Sequence, residues 1–116
     1  MHREVPVKVT AWVDEGVADL VLALNEIPGV ETLDSCQEDQ DHGQASVMFC
    51  THDETDLYAT VGRLAKAIGS GPRSHVSLTL LWSNDDAPAI ADLRCPPKRL
   101  SAVADAVRAS ADRMTP

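Results

Sequence analysis

Pro28-Gly29 is the feature that most limits what this 116-residue chain can fold into. Proline has no N–H to give a helix and its ring collides with the preceding turn, while glycine permits the turn that leads the chain out. Upstream, Val17, Leu20, Val21, Leu24 and Ile27 recur at helical spacing and form one apolar stripe. Asp14 is placed to cap that helix, with Glu15 and Asp19 at its positive end. Downstream come a weak strand over Val30–Cys36 and an acidic loop over Gln37–Gln44. A further run, Ala45–Thr51, alternates Val47 and Phe49 against Met48 and Cys50. The loop is short enough to join the two runs as an antiparallel hairpin.

Similar patterning organises the remainder. Val7, Val9, Ala11 and Val13 alternate with Lys8, Thr10 and Trp12, which predicts one half-buried strand over Val5–Val13. Asp53 and Asp56 form a capping pair for a helix carrying Leu57, Val61, Leu64, Ala65 and Ile68, which Gly69-Ser-Gly-Pro72 ends. Val76–Trp82 is apolar on both faces and predicts a central strand. After a turn at Asn84–Asp86, Ala89–Cys95 pairs back onto it. Pro96-Pro97 opens a last helix with a stripe of Leu100, Val103, Ala104, Val107, Ala111 and Met114.

The order β-α-β-β-α-β-β-α predicts an α+β fold: a ferredoxin-like βαββαβ core with two helices on one face, plus an added β-strand and C-terminal helix. The additions are expected to extend the sheet or cover its open side. Residues 1–116 read as a single domain without linkers or internal repeats. If the first and fourth strands are neighbours, Trp12 and Trp82 share the face away from the first two helices, close to Asn84. That face then needs the last helix or a second copy of the chain to cover it, so a homo-oligomer is expected.

Charge and composition narrow the function. The net charge is −8, and twelve carboxylates but no Lys or Arg lie between Asp14 and Leu57. Five basic residues, Arg94, Lys98, Arg99, Arg108 and Arg113, follow near the end against Asp105 and Asp112. An acidic chain with four aromatic side chains (Trp12, Phe49, Tyr58 and Trp82) disfavours nucleic acid as a partner. No apolar run is long enough to span a membrane, and the N-terminus lacks the apolar region of a secretory signal, so a cytoplasmic location is expected. Three widely spaced cysteines do not form a disulfide framework and are expected as thiols.

Several constellations could bear chemistry. Cys36, His42, Cys50 and His52 offer soft ligands; a hairpin centred near Gly43 would set Cys36 opposite Cys50. Their C-x5-H-x7-C-x-H spacing fits no standard zinc finger, so no resident metal is expected, and a metal-binding sensor is the third reading. Glu38, Asp39 and Asp41 cluster in the loop, but Gly43 and Cys50 fall where an EF-hand needs other residues. A Cys36 or Ser35 nucleophile with His42 or His52 as base is opposed by nearby carboxylates, which raise a thiol pKa. No Gly-x-Ser-x-Gly elbow, P-loop or Gly-x-Gly-x-x-Gly run is present, so no cofactor is expected.

The run Leu24-Asn25, Ile27-Pro28-Gly29, Thr32 and Ser35-Cys36 resembles the "LN..P...T..SC" stretch of Tyw3-type tRNA wybutosine-synthesising proteins, and of small bacterial proteins. In the Tyw3 family a Ser-Ser-Cys-Ser-Gly-Arg motif belongs to an S-adenosylmethionine-dependent methyltransferase site. Here Ser35-Cys36 matches, preceded by Asp34 and followed by Gln-Glu-Asp. The resemblance covers about 15 residues and implies a cofactor near Ser35 and Cys36. The leading expectation is a small cytosolic binding or assembly module without catalytic apparatus, with a Tyw3-like enzyme as the alternative. Its ligand contacts are expected at Asp34, Ser35, Cys36 and His42.

Overall fold

The computed structural model describes residues 4–6, 12–36, 43–69, 75–81 and 89–114, with 4–6 and 12–16 as backbone path. The elements run β1 (Glu4–Pro6), β2 (Trp12–Asp14), α1 (Glu15–Asn25), β3 (Glu31–Cys36), β4 (Ala45–Cys50), α2 (Glu54–Ile68), β5 (Ser77–Leu81), β6 (Ile90–Cys95), a 3-10 turn (Pro97–Arg99) and α3 (Leu100–Met114). The expected α+β class is the one observed.

The first strand differs from expectation. In place of one strand over Val5–Val13, β1 and β2 pair antiparallel, with Val5 opposite Val13. Residues 7–11 lie outside the described residues. A period of two fits one long strand or two short ones equally well, and Pro6, which cannot donate to a ladder, favours the short pieces.

Pro28 ends α1 as anticipated. The helix stops at Asn25, and the chain turns through Glu26 N–H to Ala23 O (3.2 Å) and Ile27 N–H to Leu24 O (3.1 Å). Ile27 is buried, and Gly29 takes φ 81° to release the chain into β3. Asn25 Nδ2 donates to Thr32 Oγ1 at 3.2 Å, which fastens the helix end to the new strand. Asp53 caps α2, its carboxylate accepting from Asp56 N at 2.8 Å, and Gly69 closes it in the left-handed conformation.

Strands β3 to β6 form an antiparallel sheet in the order β3-β4-β6-β5. A ferredoxin-like core needs its first strand inside the sheet. Here β6 holds the place between β4 and β5, while β1 and β2 pair with each other. The expected centre, β5, is an edge, and its outward Ser77, Thr79 and Leu81 are exposed. The central strands bury Ala45, Val47 and Phe49 on β4 and Ala91, Leu93 and Cys95 on β6. These six join Leu20, Leu24, Leu57, Leu64, Val103 and Val107 in one core.

The last helix does not cover the open side of the sheet. Its stripe of Val103, Ala104, Val107 and Ala111 enters that same core, and α3 packs against α1 and α2 in a single helical layer. Arg108 reinforces the contact with α1: it pairs with Asp19 and reaches Glu26 at 3.6 Å. The Arg108 hydrogen bond in turn holds the Asp19 carboxyl below its ordinary pKa.

A β-β-α unit occurs twice, as β3-β4-α2 and again as β5-β6-α3, with the second strands adjoining at the sheet centre. Ala45, Val47, Phe49 and Leu57 have counterparts 46 positions on, at Ala91, Leu93, Cys95 and Val103, and all eight are buried. Shared burial with different side chains makes this repeat structural, so the sequence shows none.

Candidate functional site

Of the residues expected to form a site, the described ones divide between the two faces of β3. On β3, Asp34 lies opposite Met48 and Cys36 opposite Ser46, on the face away from the helices. Ser35 lies opposite the buried Val47 and points towards the helical layer. Alternation along a strand thus divides Ser35 from its two neighbours. The Ser35 N–H donates to Asp34 Oδ1 at 2.9 Å, so part of the Asp34 carboxylate is used locally. His42 lies outside the described residues, as do Glu38, Asp39, Asp41, Trp82, Asn84 and the side chain of Trp12.

Cys36 and Cys50 are not opposite each other. Cys50 pairs with Glu31 and Cys36 with Ser46, so the thiols share a face four positions apart, about 13 Å along the strand. Hairpin registers with the same parity keep Val47 and Phe49 inward, so the apolar pattern cannot choose between them. A bulge between Thr32 and Asp34 shifts the ladder further and leaves Leu33 48% exposed. His52 is exposed beyond the end of β4, and the described residues contain no cluster of three His, Cys, Asp or Glu placed to hold a metal.

All three cysteines are thiols. Loss of solvation pushes the Cys50 thiol up, and the Glu31 carboxylate adds to the effect. Burial pushes Cys95 up to about 11, with Arg99 opposing weakly. Both shifts suppress the thiolate, the form a nucleophile or metal ligand needs.

A different group of side chains does converge. Arg63, Lys66 and Ala67 on α2 meet Ser110, Arg113 and Met114 on α3 around a cleft of about 340 Å³. Residues three and four apart on a helix share a face, which aligns Arg63 with Lys66 and Ser110 with Arg113 and Met114. The small side chains of Ala67 and Ser110 leave the space open, and Ser110 is buried. Among the described residues, none of the three cations has an ion-pair partner. Arg113 Nε donates to its own helix at Ala109 O, 3.3 Å away.

Two helix C-termini end beside this cleft, and each brings about half a negative elementary charge. Three full positive charges outweigh them by about two. A second hollow of about 300 Å³ continues from the first and shares Arg63 and Met114 with it. Ile27, Pro28, Asp56, Ala59 and Thr60 line this part.

Sequence reasoning missed these cations. The sequence signals were Arg63-x-x-Lys66, a pair one turn apart just beyond the acidic stretch, and Arg113 among the basic residues near the end. In comparisons with protein-family models, curated proteins and solved structures, none matches this chain.

Proposed function

We propose that this protein is a binding module that holds an anionic small molecule in the cleft between α2 and α3. One observation carries the reading: Arg63, Lys66 and Arg113 converge around Ser110 with no carboxylate partner among the described residues, in a chain of net charge −8. Against that overall charge, a local excess of positive charge favours this cleft as a place for an anion to settle. The guanidinium groups suit bidentate contact with phosphate or carboxylate, and Lys66 adds a point charge. The Ser110 hydroxyl supplies a neutral donor. Nothing in this role requires a nucleophile or general base.

Titration with pyrophosphate, followed by thermal unfolding, tests the proposal. A ligand that binds the folded state alone raises the melting temperature with concentration. The rise is expected in the parent protein and is expected to be lost in Arg63→Gln/Arg113→Gln. An equal rise in both proteins, or none in the parent, overturns it. S-adenosylmethionine and Zn²⁺ belong in the same screen. Stabilisation by S-adenosylmethionine that Ser35→Ala/Cys36→Ala removes favours the Tyw3-like reading instead, and stoichiometric Zn²⁺ favours the sensor.

Self-association belongs to the same proposal. The sheet face away from the helices carries half-buried Met48 and Ile90 beside Leu81, which is 40% exposed. A symmetric dimer through this face accounts for that apolar surface. Light scattering that reports a monomer removes this part of the proposal and leaves the anion site untouched.

A further inference from the structure

The two hollows form one trough, and their linings sort by charge. Asp56, Ala59, Thr60, Arg63, Lys66 and Ala67 fall at successive spacings of three, one, three, three and one along α2, a single helical face. The trough therefore follows the helix for about 15 Å, from Asp56 to Lys66. At one end stand Arg63, Lys66 and Arg113. Between the ends, Ile27, Pro28, Ala59 and Met114 line the hollow, with Thr60 among them. At the far end stands Asp56, an exposed residue whose backbone N–H, not its carboxylate, is engaged by the Asp53 cap.

We infer that the trough takes an elongated dipolar molecule: an anionic head held by Arg63, Lys66 and Arg113, an apolar spacer, and a protonated amine at Asp56. The inference rests on the anion-cleft reading and extends it to the other end of the ligand. A simple dianion such as phosphate fills the basic hollow and leaves the acidic end unused. A hydrophobic acid fills the basic and apolar parts and sets nothing against Asp56. Asp56 and Arg63 are seven residues apart on one face, about 10 Å along the axis, which sets the spacer length.

The experiment is a chemical-shift titration of the isotope-labelled full chain with 8-aminooctanoate, octanoate, octylamine and inorganic phosphate. We expect 8-aminooctanoate to bind about threefold to fivefold more tightly than octanoate, the gain from one solvent-exposed ion pair. Asp56→Asn is expected to erase that difference while octanoate binds as before, which shows that the variant is folded. Octylamine alone is expected to bind more weakly than either acid. Equal affinity for 8-aminooctanoate and octanoate overturns the dipolar inference and leaves the anion site standing. Binding of phosphate without binding of octanoate has the same meaning, because the apolar spacer then contributes nothing. Failure of every anion, phosphate included, overturns the cleft itself.

Discussion

Replacing Asp92 with valine should stabilise this protein, although Asp92 is a buried charge in a central strand. Asp92 is 5% exposed and lies between Met48 and Thr79 on the sheet face away from the helices. Its Oδ2 accepts from Arg94 Nε at 2.7 Å, while Oδ1 is buried without a partner. The charge-assisted bond contributes about 1.5–3 kcal/mol, and a buried acceptor left unsatisfied costs about 1–3 kcal/mol. These two terms nearly cancel. Valine adds about 1.5 kcal/mol of apolar burial and a better strand propensity. Arg94 keeps a third of its side chain in water, so losing its partner leaves no stranded buried cation. The balance is a gain of about 1 kcal/mol, or about 4 °C in melting temperature for a chain of this size. Urea unfolding followed by circular dichroism should show a higher midpoint at an unchanged slope. A loss of more than about 2 kcal/mol would refute the reasoning, because it means that Oδ1 is satisfied in solution and the carboxylate is required.

Two further measurements follow from local chemistry. Cys95 has its pKa raised from an ordinary 9.0 to about 11, so its contribution to stability is complete below pH 9 and is lost as pH rises towards 11. Cys50 shifts in the same direction. Stability measured across that window should therefore fall with pH, and Cys95→Ala should flatten the decline; an unchanged slope assigns it to other groups. The glycines of α2 predict opposite signs for one substitution. Gly69→Ala forces φ 72° on an L-residue and should cost about 1 kcal/mol, whereas Gly62→Ala meets no atom within 4 Å in the helix interior and should stabilise by about as much. Chemical denaturation of the two variants decides, and a shared sign would show that packing outweighs backbone preference at one of them.

Much of the fold was legible because its punctuation is local. Pro28-Gly29, the Asp53 cap and Gly69 act through their own backbone neighbours, and each ended or began an element where the residues placed it. The order of strands was not legible. Val76–Trp82 reads as central because Leu78, Leu80 and Leu81 crowd it, yet β6, with Asp92 and Arg94 in its run, lies inside the sheet. Apolar density reports how much of a strand is covered, and β5 packs Leu78 and Leu80 against the core although it has one neighbouring strand in its sheet, β6. The ion pair on β6 works against the same rule: Asp92 is buried and half-buried Arg94 satisfies it in part, so a central strand carries charges that a hydropathy reading assigns to an edge.

The site was less legible than the fold, for a reason that is also physical. Sequence reasoning looked where reactive side chains are close along the chain, from Asp34 to His42. A strand divides consecutive residues between two faces, so proximity in sequence worked against convergence there: Ser35 turned inward, and Asp34 and Cys36 outward. A helix brings together residues three and four apart, so Arg63 with Lys66 and Ser110 with Arg113 each line half of the cleft. What unites the halves is the repeated β-β-α unit, which lays α2 and α3 in one layer with their C-terminal ends together. At the offset of 46 positions that relates Leu57 to Val103, the last turns of α2 and α3 are equivalent, and they carry Lys66 and Arg113. Without the repeat visible in the sequence, nothing ties Lys66 to Arg113. The cleft thus follows from the arrangement of the two units, and either helix alone would display an ordinary pair of solvated cations.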